Sequence, residues 1–191
     1  TVAANGECAG STADASFTVN SAPTAAANTT PTSAVCEGTN VTISGTGTAS
    51  IGSGSGSISG NDYVTGNIGS DETVTITYTV AANGECAGST ADASFTVNYA
   101  PSAATNTTPT STICEGTNVA LAGNGTPSVT AGSGSISGSN YVTGSISSDE
   151  SATITYTVSA NGACSATTAD ASFTVNDNPS SATNTTPTSD V

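Results

Sequence analysis

Apolar and polar residues alternate with a period of two along much of this chain. In Thr73–Val80 the run TVTITYTV puts Val74, Ile76, Tyr78 and Val80 on one face and Thr73, Thr75, Thr77 and Thr79 on the other, the pattern of a half-buried strand. Ala93, Phe95 and Val97 alternate with Ser94 and Thr96 in the same way, and Val41 and Ile43 flank Thr42. Equivalent segments follow at Val119–Leu121, Ala152–Val158 and Ala171–Val175. Turn signals separate them: Asn83-Gly84, the Gly/Ser stretch Gly52–Gly60, Asn61-Asp62, Gly69-Ser70, Pro23 and Pro31. Helical periodicity is not sustained over ten residues anywhere, and the patterned segments are rich in the β-formers Thr, Val, Ile and Tyr. The spacing predicts strands at Ala25–Thr30, Asn40–Ser44, Ala49–Ile51, Gly56–Ser59, Tyr63–Ile68, Thr73–Ala82 and Ala91–Asn98. About seven short strands separated by turns predict an antiparallel, immunoglobulin-like β-sandwich.

The pattern itself repeats. Residues 1–20 recur letter for letter at 79–98, ADASFTVN returns at Ala169–Asn176, and CEGTN stands at both Cys36–Asn40 and Cys114–Asn118. Ser21–Asn98 and Tyr99–Asn176 align without a gap at about 54 of 78 positions, which marks copies of one folded unit. The fold class expected is therefore all-β, in tandem immunoglobulin-like sandwich modules of 78 residues. The reading places the C-terminal part of a truncated module at 1–20, whole modules at 21–98 and 99–176, and the start of a further module at 177–191, in a fragment of a longer chain. Ser21–Thr24 would link modules, and Pro23, matched by Pro101 and Pro179, would restrict the angle between them and favour a stiff rod.

Charge narrows the partners. The chain holds 14 Asp and Glu but no Lys, Arg or His, for a net charge of -14. Nucleic acid is excluded as a direct partner, since phosphate binding rests on Lys and Arg. Attachment to anionic membrane surfaces is disfavoured for the same reason. Apolar runs fall short of the roughly 20 residues that span a bilayer, so no direct membrane insertion is expected in this segment. Neighbouring modules and copies of the chain itself remain the expected partners.

Five cysteines fit the repeat. Each module carries one before its second predicted strand (Cys36, Cys114) and one after its Asn-Gly turn (Cys86, Cys164), while Cys8 belongs to the truncated unit, its partner outside the fragment. Pairing within modules predicts Cys36–Cys86 and Cys114–Cys164, each closing a loop of about 50 residues and contributing on the order of 4 kcal/mol. The alternative, Cys8–Cys36 and Cys86–Cys114, has an equal spacing of 28 residues and would cross-link successive modules. Disulfides imply an oxidising, extracytoplasmic location.

The order formed by CEGT at Cys36–Thr39, the Gly-rich middle, TITYTV at Thr75–Val80, NGEC at Asn83–Cys86 and a strand ending FTVN at Asn98 resembles the Ig-like and PKD-like repeats of large secreted surface proteins of Bacteroidetes-type bacteria. The resemblance covers the whole repeat and implies exported adhesins or filaments built of many modules. Those repeats often carry a Trp in the middle strand, and this chain has none.

Catalysis is not expected: without His or Lys, the Ser and Thr hydroxyls lack a base to activate them. No cofactor is assigned. Calcium is the one ion weighed, with Asp62, Asp71, Glu72, Asp92, Asp149, Glu150 and Asp170 as oxygen donors. They form no DxDxDG loop and read better as solvated carboxylates. NTT sequons mark Asn28, Asn106 and Asn184 as candidate glycosylation sites, with further sequons at Asn40 and Asn124. The Thr ladder of 73–79 reads as the wet face of a sheet. A non-enzymatic structural repeat of an extracellular bacterial surface fibre or stalk, adhesive and self-associating, is the function expected. The alternative is a binding module that recognises glycan, calcium or ice through loops or the Thr face.

Overall fold

The computed structural model describes residues 1–181 and 183, and the strongest sequence pattern forms its longest strands. In the first repeat the elements are β1 (Ala27–Asn28), β2 (Val35–Cys36), β3 (Asn40–Thr42), β4 (Gly45–Thr46), β5 (Thr48–Ser53), β6 (Ser57–Ser59), β7 (Asp62–Val64), β8 (Glu72–Val80) and β9 (Ser89–Asn98). Every one recurs 78 residues later: β10 (Thr105–Asn106), β11 (Ile113–Cys114), β12 (Asn118–Ala120), β13 (Gly123–Asn124), β14 (Thr126–Ala131), β15 (Ser135–Ser137), β16 (Asn140–Val142), β17 (Glu150–Val158) and β18 (Thr167–Asn176). Each set forms a four-stranded sheet (β2-β9-β8-β5 and β11-β18-β17-β14), a three-stranded sheet (β3-β7-β6 and β12-β16-β15) and a two-stranded ribbon (β1-β4 and β10-β13). The fold is all-β and immunoglobulin-like, and among the described residues its pairings are antiparallel except for two short parallel ones.

The chain divides into two compact units: Thr1–Ser33, Asn40–Gly66 and Thr73–Phe95 form unit 1, and Ala34–Thr39, Asn67–Glu72 and Thr96–Val191 form unit 2. The core of unit 1 is built by Val41, Ile43, Tyr63, Val74, Ile76, Tyr78 and Phe95. Tyr63 is fully buried and meets Phe95 edge-on, with ring centroids 5.5 Å apart at 77°; such pairs add about 0.5–1.5 kcal/mol beyond area burial. The core of unit 2 gathers Val119, Tyr141, Ala152, Ile154, Tyr156, Phe173 and Val175, with Tyr141 and Phe173 at 5.3 Å and 79°. One detail separates the two cores. The Tyr63 hydroxyl accepts the Gly56 N–H at 3.0 Å, whereas the buried Tyr141 hydroxyl has no hydrogen-bond partner of good geometry.

Several elements differ from the sequence expectation. The expected Ala25–Thr30 strand shrinks to the two residues of β1 and the expected Tyr63–Ile68 strand to β7, and β2 and β4 lie where no strand was expected. The short β1 and its pairing with β4 have one cause. Asn28 closes an Asx turn, its Oδ1 accepting the Thr30 N–H at 3.0 Å, and its Nδ2 donates to the Ile76 carbonyl at 2.8 Å and, more weakly, to the Ala91 carbonyl at 3.4 Å. A side chain thus replaces ladder hydrogen bonds and pins the β1-β4 ribbon to β8 and β9. The Gly/Ser stretch 52–60, read as a loop or irregular strand pair, carries the end of β5 and all of β6. Asn106 repeats the Asn28 contacts in unit 2, on the Ile154 and Ala169 carbonyls.

Candidate functional site

The groups with the most concentrated polar chemistry lie in unit 2, where residues of the first repeat meet a turn of the second. Val35 and Cys36 pair in parallel with Val97 and Asn98, and the Glu37 N–H extends this by donating to the Asn98 carbonyl at 2.9 Å. The Glu37 carboxylate then accepts two backbone donors, the Ile68 N–H at 2.9 Å and the Ala100 N–H at 3.1 Å. Asp71 takes three: Asn98 Nδ2 at 2.9 Å, the Tyr99 N–H at 2.7 Å and Asn161 Nδ2 at 2.8 Å. Those donors, the Tyr99 N–H foremost, hold the Asp71 carboxyl below its ordinary value of 3.8 against a small opposing desolvation. In a chain without cationic side chains, N–H donors rather than ion pairs stabilise these two carboxylates.

The second repeat contributes the turn Asn161–Cys164, closed by reciprocal backbone bonds of 3.1 and 2.8 Å. Gly162 sits at φ +53 and among the described residues no non-glycine residue has a positive φ, so its first central position alone is left-handed, the pattern of a type II′ turn. Asn98 is nearly buried and is held by this turn: its Oδ1 accepts the Ala163 N–H at 2.9 Å. A Cβ at Gly162 would run into the Asn98 side chain. Asn161 Nδ2 reaches the Tyr99 carbonyl at 3.0 Å. The result is covalent closure: Cys36 and Cys164 form a disulfide with Cα atoms 4.7 Å apart.

This pairing corrects the sequence expectation. Neither Cys36–Cys86 nor Cys114–Cys164 forms, nor does the Cys8–Cys36 and Cys86–Cys114 alternative; Cys8, Cys86 and Cys114 are free thiols. The reason is visible in the second repeat. Cys114 lies beside Asn176, the last residue of β18, while Cys164 precedes the first residue, Thr167. A ten-residue strand at about 3.3 Å per residue puts roughly 30 Å between them, against the roughly 4.4–6.8 Å between Cα atoms that a disulfide spans. Cys36 instead meets Cys164, the cysteine at the opposite end of the next repeat.

The remaining sequence candidates have structural partners. Nδ2 of Asn28 and of Asn106 is engaged on two carbonyls each, so a glycan there would displace a bracing hydrogen bond; Asn184 lies outside the described residues. Asn124 Nδ2 donates to Ser102 and Ala103. Among the calcium candidates, Asp62, Asp92 and Asp170 accept Thr hydroxyls. Asp149 accepts the Asp177 N–H, and Glu150 accepts the Ser133 N–H and hydroxyl, which lower its pKa in that order. Among the described residues no three His, Cys, Asp or Glu side chains are grouped to hold a metal ion. The Thr ladder is bonded within its own sheet, Thr75 to Ser94 at 2.9 Å and Thr77 to Asp92 at 2.7 Å. No helix among the described residues is long and apolar enough to cross a membrane. Sequence reasoning missed Glu37, Asp71, Asn98 and Asn161 as one constellation. The available signal was their recurrence between copies, as Glu115, Asp149, Asn176 and Asn83.

No protein-family model matches the chain, and no curated protein sequence does. Among solved structures, the crystal structure of Drosophila N-cadherin EC1-4 is similar at 11% identity and a TM-score of 0.34, over 82% of this chain and 50% of that one. The chain thus spans half the length of that structure. A chimeric titin Z1Z2 functionalized with a KLER exogenous peptide from decorin is similar at 14% identity and a TM-score of 0.28, over 84% of this chain and 100% of that one.

Proposed function

We propose that this chain is a non-enzymatic structural repeat of an extracellular bacterial surface fibre or stalk, with an adhesive, self-associating role. The observation that carries the reading is the Cys36–Cys164 disulfide, which joins successive copies of the repeat rather than closing one. A staple of this kind resists extension along the chain, because pulling the copies apart must break a covalent bond as well as the hydrogen bonds around Asp71. It also suits an oxidising compartment. The modules are the 78-residue repeats 21–98 and 99–176, flanked by partial copies, with neighbouring modules and further copies of the chain as partners. The Thr75 and Thr77 hydroxyls of the Thr ladder and most of the candidate calcium carboxylates are occupied internally, which favours the scaffold over the ligand-binding alternative.

The experiment is immunogold labelling of intact, unpermeabilised source cells with antibody raised against residues 1–191. Gold along filaments outside the envelope is the expected result. Label that appears only after permeabilisation, or in no extended structure, overturns the reading.

A further inference from the structure

Strand β5 forms one edge of its four-stranded sheet, and β14 forms the same edge of the equivalent sheet in unit 2. Each is paired along one side only, with β8 or with β17. An antiparallel ladder alternates pairs that exchange N–H···O bonds with pairs whose N–H and C=O groups point away from each other. Pro127, opposite Tyr156, has no N–H to donate and so marks a pair of the second kind. By the repeat, Ala49 opposite Tyr78 and Ile51 opposite Ile76 are pairs of the same kind in β5. Their N–H and C=O groups therefore face out from the edge of the sheet, and among the described residues neither makes a further backbone hydrogen bond.

The two edges are guarded differently. Exposed edge strands are commonly blunted by proline, by charge or by a bulge. β14 carries Pro127, whereas β5 has Ala49 in its place, and no charged side chain stands anywhere in Gly38–Asn61. A bulge between Ile51 and Ser53 ends the straight part of β5 and leaves Thr48–Ile51 open. Ala49 also borders an open cavity of about 480 Å³ lined by Ile43, Ile58, Asn61 and Tyr78. In β14 the larger Pro127 ring stands at the position of the Ala49 methyl. We infer that β5 is an assembly edge, which pairs antiparallel with β5 of a second copy of this chain about a two-fold axis at Ser50. This deepens the self-associating part of the structural-fibre reading, and rests on it, by naming the contact.

The occupant is a second copy because the edge complements itself. A two-fold axis at Ser50 sets Ala49 of each copy against Ile51 of the other, and each such pair exchanges reciprocal N–H···O bonds between the groups that face outward. Paired residues share a face of the sheet, so the incoming Ile51 side chain lies beside Ala49 at the mouth of the cavity, on the half-buried side of the strand. Charge favours this site as well. Two chains of net charge -14 repel each other, and a contact made through an uncharged segment brings no carboxylates face to face.

The test follows the full chain by sedimentation velocity at rising concentration, with its free thiols blocked so that disulfide exchange adds no dimer. A monomer–dimer equilibrium is expected. Ala49→Pro gives β5 the proline with which β14 already folds, and is expected to keep the circular dichroism spectrum while removing the dimer. Ser50 is exposed, so Ser50→Glu and Ser50→Lys leave the core alone; each sets like charges opposite each other at the axis and is expected to stay monomeric. Mixed, the two charged variants are expected to form a heterodimer about fivefold above the statistical proportion. A parent that remains monomeric, a dimer that survives Ala49→Pro, or a statistical mixture of the charged variants overturns the contact. Immunogold labelling separates the two readings: external filaments labelled for a chain that stays monomeric sink the β5 contact alone, whereas a β5 dimer without external label sinks the fibre reading and leaves the contact.

Discussion

Replacing Cys36 by Ser opens the link between copies and leaves every strand sequence intact. The disulfide closes 128 residues of sequence separation, for which the loop-entropy treatment gives about 5 kcal/mol of stabilisation at 25 °C. For a chain of this length each kcal/mol moves Tm by roughly 2–4 °C, so a fall of roughly 10–20 °C is expected. Thermal unfolding followed by circular dichroism at pH 7 measures it, with remaining thiols capped to prevent reshuffling. Cys164→Ser is expected to match Cys36→Ser, and the double variant to add little to either, because both remove one bond. Cys86→Ser is the decisive comparison. Its sulfur is a free thiol here, so its Tm is expected to stay near that of the parent. Equal losses for Cys86→Ser and Cys36→Ser would mean within-repeat pairing, and a Cys36→Ser loss below about 2 °C would refute the loop-entropy argument.

Other consequences follow from single contacts. Asp71 has a lowered folded pKa, so its contribution is full above its ordinary value and is lost as pH falls through the folded value. The Tm gap between parent and Asp71→Asn is therefore expected to hold from neutral pH to about pH 5 and close in stronger acid; a gap that widens in acid would contradict the assignment. Tyr63→Phe removes the acceptor of the Gly56 N–H and should cost about 1 kcal/mol in urea unfolding. Tyr141→Phe removes a buried hydroxyl that lacks a hydrogen bond of good geometry and has only a weak contact with the Gly134 N–H, and should cost less than Tyr63→Phe, within about 0.5 kcal/mol of neutral. Gly162→Ala forces a left-handed alanine against Asn98, with a cost of at least about 1 kcal/mol. It should also slow recovery of the disulfide after reduction, read as thiol loss over time with a colorimetric thiol reagent.

The period-two pattern made β8 and β9 legible because their inward faces carry Val, Ile, Tyr and Phe against an unbroken polar row. The repeat made every element of the second copy legible from the first. The cystine was not. Its position depends on the two-residue parallel pairing of β2 with the end of β9, a long-range contact that leaves no periodic trace in two residues. Membership of one repeat favoured Cys36–Cys86 and Cys114–Cys164, and the length of β18 is what keeps Cys114 from Cys164. The polar site was hidden for a related reason. Asp71, Asn98 and Asn161 each resemble an ordinary turn residue, and their shared function appears only when two copies of the repeat come together in unit 2. The Asn28 brace misled in the other direction, since NTT reads equally as a sequon and as an Asx turn that crosses to a sheet.

Mass spectrometry of the oxidised chain, thiols capped and then cut after glutamate, tests the stapled repeat most directly, since the absence of Lys and Arg leaves trypsin no site. Cleavage after Glu7, Glu37, Glu85, Glu115 and Glu150 isolates peptides 8–37, 86–115 and 151–191, which hold all five cysteines. A Cys36–Cys164 bond joins 8–37 to 151–191 and leaves 86–115 separate with two capped thiols. Recovery of all three peptides as one disulfide-linked species, the signature of Cys36–Cys86 with Cys114–Cys164, would contradict it.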